Sequence, residues 1–416
     1  IQKAYSIRFP CVGLLHLPAM GFFTGYRDGH QEKTNFNINL GGAMNNQKQA
    51  IKQIIGENLE DLFDLAKKMK ENPEMGFEEF KASAWLTEYL EMKGFEVQRG
   101  IAGLPTAFKA TVDLDEDGPN IAFLCEYDAL PGIGHGCGHN LIGPQSIGAA
   151  VALSQIKGLS GTITVLGAPA EETGGAKVTL VEKGVFDDVD FAMMVHPATH
   201  NQPYSTSFAL DAIEFTYHGK TSHAAAAPEL GINALDSVIL LFNGINALRQ
   251  HLIDDVRIHG IINDGGQTPN VVPDKASARF YFRAKERKYL NQMFTKIIHI
   301  AEGAALMTGA KMEWRNYELS NDNLMPNKRL VKCFEDNLRA LGITDIEPPQ
   351  DGKGSSDMGN VSHVVPAIHP YIAIAEKDAF NPHSAEMAEA TISEGGKQGL
   401  YTSAVTLAWT AYDVLT

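Results

Sequence analysis

The densest run of potentially reactive side chains is Glu126-Tyr-Asp128-Ala-Leu-Pro-Gly-Ile-Gly-His135-Gly-Cys137-Gly-His139-Asn140. It directly follows the apolar run 121–125. A loop leaving the carboxyl end of a buried strand is where α/β folds build their sites. Cys137 and His139 are two residues apart, which in extended chain puts both side chains on one side. A thiolate and an imidazole converging there form half of a zinc-like or manganese-like site. The flanking glycines let backbone approach closely. The plainer alternative is a flexible glycine loop with a chance cysteine and histidine.

Two further apolar runs end in similar chemistry. Residues 162–168 are followed by Pro169-Ala-Glu171-Glu172-Thr-Gly-Gly175, and residues 191–195 by His196-Pro197. Adjacent acids usually mark a solvated helix start. Between an apolar strand and two glycines, they can instead divide labour, one ligating a metal and the other handling protons. A single histidine after a strand is most often structural, but three strand ends each delivering a ligand type argue for a common centre. His383, in Phe380-Asn-Pro-His383-Ser384, is a fourth candidate and equally a surface-turn histidine. Gly219-Lys220-Thr-Ser-His223-Ala-Ala-Ala-Ala-Pro228 presents a reachable imidazole or a plain surface loop. Asn270, Arg279 and Arg283 add polar groups, and Arg283 could hold a carboxylate bidentately or lie exposed on a strand.

Several alternatives lack their signatures. The chain has no H-E-x-x-H helix and no phosphate-binding G-x-x-x-x-G-K-[ST]. Gly132, Gly134, Gly136 and Gly138 alternate, unlike G-x-G-x-x-G, and Gly354-Ser-Ser-Asp-Met-Gly359 misses the G-x-S-x-G elbow by one residue. With 35 Lys and Arg against 50 Asp and Glu, the net charge of −15 opposes binding to nucleic acid or an anionic membrane surface. No stretch of about 18 apolar residues exists to span a bilayer. The four cysteines, Cys11, Cys125, Cys137 and Cys333, form no C-x-x-C pair and no disulfide-like framework, which points to a reducing, cytoplasmic compartment.

The elements that must position these residues follow from the apolar pattern. The 416 residues and a 44% apolar composition fit a globular chain of two or three domains. Helical stripes are predicted over 47–70 and 78–93, strands over 106–113, 121–125, 162–168 and 191–195, and helices over 141–156 and 178–183. Continuous apolar strands alternating with helices predict a mostly parallel α/β sheet. The order then changes to strand 213–218, helix 234–249, strands 256–262 and 276–284, helix 288–307 and strand 312–317, the split βαβ order of ferredoxin-like domains. After 320 come helix 327–341, strand 370–375 and helix 386–413. The expected division is therefore a catalytic domain of residues 44–207 and 321–416, interrupted by an α+β lid or dimerisation domain at 208–320. Residues 1–43 read as an extension outside the main fold.

Taken together, the chain resembles the aminoacylase and glutamate-carboxypeptidase superfamily of metallohydrolases. It is most similar to the hippurate and p-aminobenzoyl-glutamate hydrolase group, which includes the β-alanyl-lysine dipeptidase type. The resemblance spans about residues 45–415. It rests on His135-Gly-Cys137-Gly-His139, Pro169-Ala-Glu171-Glu172, Val195-His196, Gly219 and Lys220 through Pro228, Asn270 with Arg283, and Asn381-Pro-His383. Asn140 and Gly354-Ser-Ser-Asp357 depart from the hippurate-hydrolase pattern toward the dipeptidase and aminobenzoyl-glutamate branch.

The resemblance implies that Cys137, His139, Glu172, His196 and His383 bind one or two divalent metal ions, zinc or manganese. Glu171 would be the general base and then the acid. His223 would reach the partner subunit's site across a homodimer. Asn270, Arg283 and Lys220 would hold a substrate carboxylate. The expected activity is hydrolysis of an N-acyl amino acid, an aminobenzoyl-glutamate-like amide or a dipeptide. Two rivals remain at this level: a catalytically silent binder of such a ligand on the same fold, and a thiol enzyme using Cys137 as nucleophile.

Overall fold

The computed structural model describes residues 45–416, apart from 115 and 353. The expected extension at 1–43 lies outside the described residues. Two helices open the chain, α1 (Asn46–Glu71) and α2 (Phe80–Met92). Strands β1 (Glu96–Arg99), β2 (Phe108–Asp113) and β3 (Glu116–Cys125) follow, then α3 (His139–Ser154), β4 (Ser160–Gly167), α4 (Ala176–Glu182), β5 (Phe191–Met193) and β6 (His196–Ala198). The middle of the chain forms β7 (Ala209–His218), α5 (Ala234–Leu248), β8 (Arg257–Asp264), β9 (Lys275–Ala284), α6 (Arg287–Thr308) and β10 (Lys311–Asn316). It ends with α7 (Lys328–Leu341), α8 (Met358–Ser362), β11 (Ala367–Ile368), β12 (Tyr371–Ala373), α9 (Ala385–Ala390) and α10 (Glu394–Leu415).

The larger sheet has the order β1-β2-β4-β3-β5-β11. The β3–β4, β3–β5 and β5–β11 pairs are parallel, whereas β1–β2 and β2–β4 are antiparallel. The unbroken apolar run of β3 is explained by burial on both faces. Ile121, Phe123 and Cys125 join one core with residues of α1, α3 and α10. Ala122 and Leu124 point the other way, into a core with Leu180, Met358 and Val361. The two-residue period of a strand thus feeds two cores. Helix α3 is buried from His139 through Leu153. Its small residues permit this: a Cβ on Gly148 would come within 2.7 Å of Leu62 on α1.

The smaller sheet is antiparallel throughout, in the order β10-β7-β9-β8. Its core combines Phe215, Phe280 and Phe282 with Leu241 and Ile245 of α5 and Met293 and Ile297 of α6. Strand β8 is an edge on which Ile261 and Ile262 are exposed.

Three local expectations are corrected. The helix expected at 386–413 is two helices, because Ser393 caps a new start by accepting from the Gly396 N–H at 3.1 Å. The strand expected at 191–195 stops at Met193, and His196 begins β6, which pairs with β12 in a separate two-stranded ribbon. Strands β1 and β11 have no counterpart among the expected elements, since pieces of four and two residues carry too little periodicity to register.

Candidate metal centre

Strands β3, β4 and β5 are parallel neighbours, so their carboxyl ends emerge on one side of the sheet. The three motif loops leave from those ends. Gly138 lets the first loop close: it has φ +84, and a Cβ there would lie 2.5 Å from Pro197 beside His196. Of the five residues with side chains that adopt left-handed backbone among the described residues, Ala170 (φ +58) and His383 (φ +59) lie at these loops. Such conformations persist where surrounding contacts impose them. The His383 N–H donates to Gly136 O at 3.0 Å, tying the distant C-terminal segment to the Cys137 loop.

Cys137, His139, Glu171, Glu172, His196 and His383 converge. Ligand atoms lie within 4.8 Å of one another in three sets: Cys137 with His139 and His196; Cys137 with Glu172 and His383; and His139 with Glu171 and Glu172. Cys137 Sγ is 3.4 Å from His196 Nε2. His196 Nδ1 lies 2.8 Å from Pro197 O, so its proton belongs there and the Nε2 lone pair faces the thiol. His139 is oriented by Asp128, whose Oδ1 is 2.7 Å from Nδ1; Oδ2 of the same carboxylate accepts the Glu172 N–H at 3.0 Å.

These atoms fit a divalent metal. His139 Nε2 and Glu172 Oε1 are buried without a hydrogen-bond partner, although His383 Nε2 lies 3.1 Å from that oxygen. Buried polar atoms are normally paired, and two such orphans face each other at 4.0 Å. Thiolate, imidazole and carboxylate form a donor set suited to borderline divalent ions. The same surroundings do not activate Cys137 as a nucleophile. Burial pushes its thiol up to about 12, whereas thiolate enzymes lower it.

A second cluster adjoins the first. The Lys177 ammonium, fully buried, donates to Glu126 Oε1 and Asp357 Oδ1, each at 2.6 Å. Glu126 Oε2 is also 3.3 Å from His139 Nε2. Burial opposes the charge on Glu126, but Lys177 and His139 overcome it and hold the carboxyl at about 2. Glu171 has an oxygen within 4.8 Å of those of Glu126 and Asp357. Burial, then Glu126 and Asp357, raise its carboxyl well above the ordinary range.

The other residues singled out in the sequence lie on loops and strands of the smaller sheet's segment. His223 is exposed and belongs to none of the metal-competent sets. Its Nδ1 accepts from the N–H groups of Ala225 and Ala226 at 3.2 and 3.1 Å, which leaves the proton on Nε2. The Ala224 N–H donates to Asn270 O at 3.0 Å, so His223 and Asn270 are neighbours. Lys220 is exposed and bridges to Ile232 through its backbone. Arg283, half-buried on β9, donates to Ser355 Oγ at 3.0 Å rather than meeting Asn270. Arg279 turns to Glu214 at 3.4 Å.

Sequence reasoning gives no role to Asp128, Glu126, Lys177, Asp357 or His369. Asp128 and Glu126 sit in the motif already quoted, and their position after β3 is a usable signal. Lys177 and Asp357 carry none, because their partners are 51 and 180 residues away. His369 is buried with an unpartnered Nε2, its ring 5.7 Å from that of His196. Burial and His196 lower it to about 3.

A doubly covered, mostly parallel sheet whose strand ends gather thiol, imidazole and carboxylate around a raised carboxyl defines a metal-dependent hydrolase. Comparison with known proteins agrees. Residues 119–397 match the family model described as Peptidase family M20/M25/M40. The chain is 38% identical to the Xaa-Arg dipeptidase of Mus musculus, covering 88% of this chain and 89% of that protein. It is also 38% identical to that of Homo sapiens, with 90% and 92% covered. A p-aminobenzoyl-glutamate hydrolase polypeptide of Escherichia coli is 36% identical over 68% of this chain and 63% of its own length. In fold, a dinuclear metal-binding peptidase of Bacillus subtilis superposes with a TM-score of 0.66 at 20% identity, covering 86% of this chain and 99% of that one. The chain belongs to the M20/M25/M40 peptidase family and is a metal-dependent amidohydrolase or peptidase. No helix among the described residues is long and apolar enough to cross a membrane.

Proposed function

We propose that the protein is a dipeptidase that removes a basic C-terminal residue, using one or two zinc or manganese ions held by Cys137, His139, Glu172, His196 and His383. The observation carrying this reading is the 38% identity to two Xaa-Arg dipeptidases along about nine-tenths of both chains. Metal bound there would make a water molecule acidic near pH 7 and polarise the scissile carbonyl. Glu171, its carboxylate within 4.8 Å of ligand atoms on His139 and Glu172, takes the water's proton and delivers it to the leaving amine. His223, with its proton on Nε2, donates to the oxyanion that develops on the attacked carbonyl. Arg283, Asn270 and Lys220 hold the substrate's terminal carboxylate.

The same proposal divides the chain into a catalytic part, 44–207 and 321–416, and a lid and dimerisation part, 208–320. His223 acts in the partner subunit's site, and the exposed edge at β8 offers a surface for the homodimer. A reducing, cytoplasmic setting accords with the free thiols of Cys125, Cys137 and Cys333.

The test is a substrate panel on metal-replete protein: dipeptides ending in Arg, Lys, Glu or Leu, N-acyl amino acids, and aminobenzoyl-glutamate. The expected result is the highest kcat/KM on dipeptides ending in Arg or Lys, abolished by chelation and restored by metal. Preference for aminobenzoyl-glutamate would move the assignment to the Escherichia coli relative's substrate. Glu171→Gln should keep its metal and lose about 10²–10⁴-fold in kcat; near-normal turnover would remove Glu171 from the base role.

A further inference from the structure

We propose that Glu79, remote in sequence from every metal-site motif, is a positioning residue that sets the catalytic base by holding the backbone of the turn bearing Glu171. It is fully buried at the start of α2. Its Oε1 accepts the Ala170 N–H at 2.7 Å, and its Oε2 accepts from Thr106 Oγ1 at 3.0 Å. Ala170 is the residue with φ +58 immediately before Glu171. Left-handed backbone is strained for a residue with a Cβ, so outside contacts must hold it.

Those contacts grip the turn from both ends. The Ala170 carbonyl accepts the N–H groups of Gly174 and Gly175, each at 2.8 Å. The segment leading to Glu79 sits tightly on the same turn: a Cβ on Gly76 would lie 2.1 Å from Thr173 Oγ1 and 2.8 Å from the Ala170 Cβ. Glu171 is thus framed by two buried carboxylates. Glu79 holds the N–H before it, and Asp128 holds the N–H after it, on Glu172. This division separates their effects. Glu172 keeps its own anchor when Glu79 is changed, whereas the peptide leading into Ala170 does not. What Glu79 supplies is reach and shape: burial raises its carboxyl to about 7, and an amide of equal length keeps an oxygen for the Ala170 N–H while its NH2 donates to Thr106 Oγ1 in place of accepting from it.

The inference rests on Glu171 being the base, and the test separates the two. Glu79→Asp withdraws the carboxylate by about 1.5 Å while keeping its charge, and Glu79→Gln keeps the length while removing charge. On the metal-loaded enzyme, Glu79→Asp should lower kcat by about 10²-fold, with KM and metal content unchanged. Glu79→Gln should stay within a few-fold of the parent. Gly76→Ala pushes on the same turn with Glu79 intact and should reproduce the kcat loss, which decides the matter if Glu79→Asp does not fold. Parental kcat in Glu79→Asp, equal impairment of the Asp and Gln variants, or metal loss in step with kcat would each overturn the proposal. An active Glu171→Gln would instead remove the base assignment on which it stands.

Discussion

Replacing Lys177 by Met tests the buried charge cluster beneath Glu171. Methionine fills the lysine stem's space and removes the ammonium that bridges Glu126 and Asp357. In the parent, Lys177 and His139 hold the Glu126 carboxyl at about 2, against an ordinary 4.5. Removing one partner of a buried ion pair costs roughly 3–5 kcal/mol, because the charge left behind has no partner. The sign with pH follows. A depressed carboxyl contributes stability above its unfolded value, which is lost as pH falls toward the folded one. Without Lys177, burial is opposed mainly by His139, so the Glu126 carboxyl rises and the variant loses stability relative to the parent as pH rises through 4.5. Urea unfolding of both proteins in chelator should give a deficit of about 3–5 kcal/mol at pH 7.5 that shrinks by about 2 kcal/mol at pH 5. Adding Glu126→Gln to the variant should recover part of the loss. A deficit below about 1 kcal/mol, or one equal at the two pH values, would refute the electrostatic reasoning.

Cys137→Ala should lower metal occupancy while Cys125→Ala should not, because Cys125 is a buried strand residue whose thiol faces Gly143 O at 3.6 Å; elemental analysis of both variants checks this, and equal loss would contradict it. Asp128→Asn should weaken metal binding by about 10–100-fold, since the residue orienting His139 Nδ1 no longer enforces the right tautomer; a competitive chelator titration measures it. Mixing inactive Glu171→Gln with inactive His223→Ala subunits should restore activity if His223 acts in trans, because one site of each heterodimer then carries neither defect. Failure to complement, with subunit exchange demonstrated by mass, would assign His223 to its own subunit's site.

The part of this protein legible along the chain is local. Strand β3 reads as buried on both faces because every residue from Ile121 to Cys125 is apolar. The ligand types at the ends of β3, β4 and β5 are readable because parallel strands deliver their following loops to one side. The strand and helix order of the smaller sheet is also legible, since each element is long enough to show its period. Long-range packing settled the rest. It joined Lys177 to Glu126 and Asp357 across 51 and 180 residues, and Glu79 to Ala170 across 91. It also turned Arg283 toward Ser355 rather than Asn270. The reason is physical. Periodicity and turn chemistry act between residues a few positions apart and leave a trace in the chain. A buried charge or an unpaired N–H is satisfied by whichever group the fold brings within about 3 Å, and nothing in the spacing of the chain announces which group that will be.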